Sequence, residues 1–173
     1  MSLILGIDPG SVKTGFGIIN YVSGKAEYVT SGVIKLREAE DLPERLRVIY
    51  DSITELVELH CPQEVAVEQV FMAKSAGSAL KLGQARGAAV VACVTKDLPV
   101  AEYSARQIKQ SVVGTGAAEK EQVQHMVKVL LKLPAAPAED AADALAAALC
   151  HAHMRQSMIN MAGAKSVRRR RIR

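Results

Sequence analysis

Two short apolar runs, each ending in a carboxylate, constrain this chain more than any other feature. Leu3-Ile4-Leu5-Gly6-Ile7 leads into Asp8, and Val65-Ala66-Val67 leads into Glu68. Short continuous apolar runs bounded by turn residues read as buried strands. A charge at the end of such a strand must be paired, bound to a metal or delivered to the rim of the sheet, because desolvating it alone is costly. Open α/β sheets collect their ligands at strand ends, so acids leaving two strands can converge there.

The remaining pattern supplies the rest of an α/β domain. After the turn Pro9-Gly10-Ser11, Thr14 to Asn20 reads as a second strand with glycine at 15 and 17, and Ala26 to Ile34 as a third. Their short links predict antiparallel hairpins. Asp41-Leu-Pro-Glu44 opens a helix in capping-box style, with Leu46, Ile49, Ile53 and Val57 on one stripe and a stop near Pro62. An Ala-rich helix follows from about Ser75 to Asp97, then a strand from Pro99 to Tyr103. Ser104-Ala-Arg-Gln107 caps a helix ending at Gly114, and Val123, Val127, Leu130 and Leu131 face inward from the next one. The last helix is expected from about Glu139 to Ser157. Three hairpin strands followed by helices interleaved with two more strands make a mixed five-stranded sheet with helices on its faces. Residues 1–160 form one domain, and 161–173 are expected to be a flexible basic tail.

Charge is distributed unevenly. The net charge of +4 comes from residues 164–173, which hold six cations and no acid. Residues 1–68 sum to −5 and residues 69–138 to +5, so a milder basic region lies mid-chain. That middle segment suits a phosphate-binding face. No apolar run approaches the roughly 18 residues of a membrane span, and the N-terminus lacks the features of a signal peptide. Cys61, Cys93 and Cys150 are odd in number and sit among apolar residues. They read as buried, reduced thiols of a cytoplasmic protein.

Two further acids join the first pair. Asp140 and Asp143 are three apart on an otherwise uncharged Ala-rich helix, hence neighbours at roughly 5–6 Å between Cβ atoms. Asp140 could instead cap that helix, and Asp8 could be a turn residue of Asp-Pro-Gly; Glu68 has no comparable local role. Hard oxygen ligands suit Mg²⁺, or Mn²⁺ in its place, rather than Zn²⁺. Two such ions about 3.5–4 Å apart can flank a scissile phosphate, activating a water and stabilising the leaving 3′-oxygen. Hydrolysis by that route leaves a 5′-phosphate and a 3′-hydroxyl.

Gly6-Ile7-Asp8-Pro9-Gly10-Ser11, Thr14-Gly15, Glu68 to Lys74, Ser78 to Gly87 and Asp140 to Ala146 together closely resemble the bacterial RuvC family, over about residues 3–155. These are Holliday-junction resolvases of the RNase H-like fold. The first motif is shared with actin-like kinases, whereas Glu68 and Lys81–Gly87 together are specific. The resemblance implies that Asp8, Glu68, Asp140 and Asp143 are the catalytic metal ligands. It implies that Lys109 and Lys120 contact DNA near the cut and that Phe71 stacks on or wedges against a junction base. It further implies a homodimer that nicks two like strands symmetrically in recombination and repair, alongside the branch-migration proteins RuvA and RuvB.

Several residues carry two readings. Phe71 could be core, Lys109 and Lys120 could be solvated, and the Gly83/Gly87 face could meet a second copy or the chain's own sheet. His151 and His153 carry no strong signal for metal or proton transfer. The rival functions are a sugar-kinase-type phosphotransferase, for which the chain is short, a noncatalytic DNA-binding module, and a nuclease acting on RNA–DNA hybrids or flaps.

Overall fold

A computed structural model describes residues 2–36, 41–70 and 75–170, with side chains as far as residue 161. Five strands, β1 (Ser2–Asp8), β2 (Lys13–Val22), β3 (Lys25–Lys35), β4 (Glu64–Glu68) and β5 (Val100–Tyr103), form one sheet in the order β3-β2-β1-β4-β5. The first three are antiparallel, and β4 and β5 run parallel to β1. This is the mixed sheet that the hairpin spacing predicts. The helices are α1 (Leu42–His60), α2 (Ala76–Val94), α3 (Ala105–Val113), α4 (Lys120–Leu130) and α5 (Glu139–Arg170).

Local chemistry sets most boundaries. The Asp41 carboxylate accepts from Glu44 N–H at 3.0 Å and caps α1, and Ser104 and Gln107 form the capping box of α3. Cys61 ends α1 in a left-handed conformation with φ 48°. It is exposed, unlike Cys93 and Cys150, which are buried as expected. Its place as a helix cap at the surface, rather than on the apolar stripe, explains the difference. The last helix continues to Arg170 rather than stopping near Ser157. No helix among the described residues is long and apolar enough to cross a membrane.

Strand alternation sorts the side chains into two cores. Leu5, Ile7, Val65 and Val67 pack with α1 and α2, while Ile4 and Ala66 pack with α3, α4 and α5. Asp8 and Glu68 are in phase with Ile4 and Ala66, so both acids face α5. The pair Ile7↔Val67 is in register, which sets Asp8 and Glu68 side by side at the carboxyl ends of neighbouring parallel strands.

Helix α5 lies directly on β1 and β2. A Cβ built on Gly6 would stand 1.9 Å from the Ala144 carbonyl oxygen, and one on Gly15 would stand 1.9 Å from that of Asp140. Only glycine permits this approach of backbone to backbone. The helix supplies its half by being nearly all alanine where it touches the sheet: residues 141–150 are buried throughout except Asp143, which is half-buried. Farther along α5, His151 bridges two partners. Its Nε2 lies 2.6 Å from Glu64, and its Nδ1 lies 2.8 Å from the Tyr103 hydroxyl. Glu64 also accepts from Ser2 Oγ at 2.6 Å and from Arg155. Burial pushes the Glu64 carboxyl up, but these donors outweigh it and hold the group below its ordinary value. The network pins the amino ends of β1 and β4 to α5.

Gly15→Ala is expected to cost about 1–3 kcal/mol through overpacking, read as a fall in Tm of about 2–4 °C for each kcal/mol. An unchanged melting curve would mean that α5 does not rest on Gly15.

Candidate active site

Because Gly15 pairs with Asp8 across β1 and β2 and touches the backbone of Asp140, the start of α5 stands beside the end of β1. Asp8 from β1, Glu68 from β4, and Asp140 and Asp143 from α5 therefore meet at one end of the sheet. All four are half-buried. Neither local role by itself brings the four acids together. Asp140 lies inside the first turn of α5, not at its cap. The turn after Asp8 is closed by Thr14, whose hydroxyl donates to the Gly10 carbonyl at 3.1 Å.

The electrostatics are those of like charges crowded together. The Asp8 carboxyl is pushed up to about 8, by burial first and then by Glu68, Asp143 and Asp140, with Lys120 opposing. Glu68 is pushed up to about 7 by burial and by Asp143, against Lys109 and Lys120. Burial also raises Asp143, with Glu139 and Asp140 adding to it and Lys120 and Lys109 opposing. Burial and mutual repulsion both disfavour ionisation, and both are relieved when a cation enters among the acids. Hard oxygen donors of this kind match a divalent ion such as Mg²⁺ or Mn²⁺. Among the described residues no group of three or more His, Cys, Asp or Glu side chains is placed so that it could hold a metal ion as it stands.

A cleft of about 160 Å³ opens beside the acids, lined by Glu68, Asp143, Lys109, Lys120, Ala105, Ile108 and Val123. The two lysines reach it from α3 and α4, so the basic middle of the chain lies against the acidic site. Phe71 lies outside the described residues. His151 and His153 are not at this site. His151 belongs to the network farther along α5, and His153 Nδ1 lies 3.1 Å from Ser111 Oγ. One neighbour was not legible in the sequence as part of the site: Glu139, whose carboxylate pairs with Lys120. The two are far apart in the chain, and the sequence marks Glu139 only as an acid suited to a helix start.

The chain as a whole matches a known family. The family model described as crossover junction endodeoxyribonuclease RuvC matches residues 4–151. A relative of that name from Saccharophagus degradans is 62% identical over 172 residues, covering 99% of each chain. Another from Teredinibacter turnerae is 64% identical over 175 residues, again covering 99% of each. Among solved structures, the RuvC of T. thermophilus in complex with a Holliday junction substrate superposes with a TM-score of 0.85 at 36% identity, covering 91% of this chain and 96% of that one. This chain belongs to the RuvC family of crossover junction endodeoxyribonucleases.

Proposed function

We propose that this protein is an endodeoxyribonuclease that resolves four-way DNA junctions in recombination and repair, with Asp8, Glu68, Asp140 and Asp143 holding Mg²⁺ at the cut. The observation that carries the assignment of the acids is their convergence from β1, β4 and α5 beside a lysine-lined cleft. Two bound ions would activate a water and stabilise the leaving 3′-oxygen, giving 5′-phosphate and 3′-hydroxyl ends. Mn²⁺ would serve in their place. The four carboxylates would hold the ions, whose charge would favour their ionised form. Lys109 and Lys120 hold the phosphate at the mouth of the cleft. A role for Phe71 against a junction base rests on the family resemblance. So do RuvA and RuvB as partners, while a cytoplasmic location rests on the reading of the three cysteines as free thiols.

Paired cuts call for two identical sites, which a twofold dimer supplies. Helix α2 offers a surface for it. Ala85, Ala89, Ala92 and Cys93 face its own core. Leu80, Val91 and Val94 are exposed, and Gly83 and Gly87 have open space where a Cβ would be. That outer stripe is our candidate for the homodimer contact. Leu80→Asp is then expected to shift the protein toward monomer by at least tenfold in sedimentation equilibrium; an unchanged dimer constant would remove α2 from the interface.

The central test is cleavage of a synthetic mobile junction with and without Mg²⁺, beside linear duplex and RNA–DNA hybrid. Asp8→Asn or Glu68→Gln should abolish cutting while junction binding persists, since the phosphate contacts remain. A variant that cuts normally would take that acid out of the site. Stability should move in the opposite direction. The folded pKa of Asp8 lies above its unfolded value, so its favourable contribution is complete below about pH 4 and is lost as pH rises toward 8. Without metal, Asp8→Asn should therefore raise Tm at pH 8 by about 2–4 °C or more, with the gain vanishing near pH 4. Calorimetry in chelator would check this, and a lower Tm at pH 8 would contradict it.

A further inference from the structure

Lys120 is the first residue of α4 and lines the cleft together with Glu68 and Asp143. Its ammonium nevertheless pairs with Glu139, an acid outside the set of four. Glu139 is the first residue of α5, immediately before Asp140, and it is exposed at the rim. A carboxylate in the first turn of a helix is favoured by the helix dipole, which helps to keep it in place. An ammonium at this position has two anionic destinations. Drawn inward, it becomes the counter-ion of Asp8, Glu68 and Asp143 and competes with any other cation for them. Held outward by Glu139, it leaves the acids open and stands where a phosphate would arrive.

We propose that Glu139 is a positioning residue that holds the Lys120 ammonium at the rim, keeping the carboxylate pocket free for a divalent cation. The inference rests on the metal-site reading above. It does not require Glu139 to touch metal or DNA. Glu139 also repels Asp143 directly, but its proposed action runs through Lys120, so the larger part of its effect must disappear when Lys120 is removed.

The experiment is Mn²⁺ binding to the full-length, DNA-free protein, followed by calorimetry and by the paramagnetic resonance of free Mn²⁺. Wild type, Glu139→Gln, Lys120→Ala and the double variant complete a cycle. Glu139→Gln is expected to weaken Mn²⁺ binding about two- to fivefold, the scale of an exposed ion pair. Lys120→Ala should tighten it, and adding Glu139→Gln to Lys120→Ala should change it by less than 1.5-fold, roughly the measurement floor. Glu139→Asp should retain most of the wild-type affinity. Equal weakening in both backgrounds would overturn the proposal, because Glu139 would then act only as a nearby negative charge. No effect of Glu139→Gln would overturn it too. A wild-type protein that binds no Mn²⁺ would end the metal reading and this inference together. Binding with an intact cycle but no coupling would end this inference alone.

Discussion

The site depends on one steric arrangement: a helix backbone resting on a sheet backbone with no side chains between them. Gly6 and Gly15 lie under Ala144 and Asp140 at distances where any Cβ would collide. The alanines of α5 make the same concession from the other side. Close packing of this kind is intolerant of added volume. Its consequence is positional. With α5 seated on β1 and β2, the helix start has nowhere to go but beside Asp8, and Asp143 is the single charged residue in an otherwise buried stretch of ten.

That placement is electrostatically unfavourable for the protein alone. Asp8 and Glu68 are pushed up to about 8 and about 7, by burial before anything else. The fold tolerates this because its stability comes from elsewhere, from two apolar cores on opposite faces of the sheet and from the Glu64–His151–Tyr103 network farther along α5. Functional sites commonly carry such local conflict within an otherwise consistent fold. Here the conflict has a definite sign, and a divalent cation among the acids would resolve it. The lysines do so only in part, and the Lys120 ammonium also pairs with Glu139.

Two stretches of α5 divide the labour. At its start, unpaired acids face the carboxyl ends of β1 and β4. Farther along, the acid Glu64 is fully partnered by Ser2, His151 and Arg155. Both sites place a carboxylate on β4, five residues long, yet one is held below its ordinary range and the other is driven above it. The difference is the supply of donors, not the residue type. It also explains why His151, two turns from Asp143 on the same helix, has no part in the active site.

Sequence by itself determined the strands and helices, the mixed sheet, the four acids and the basic middle segment. These follow from local periodicity, capping and charge, which act between residues close in the chain. The family likeness was legible for the same reason, in short motifs around Asp8, Glu68 and Asp140. Only tertiary structure decided what the glycines at 6 and 15 are for, that Gly83 and Gly87 face away from their own sheet, and that Cys61 is exposed. Only tertiary structure could pair Lys120 with Glu139 or His151 with Glu64. Those outcomes depend on which surfaces meet when distant segments pack, and distance in space leaves no periodic trace along a single chain.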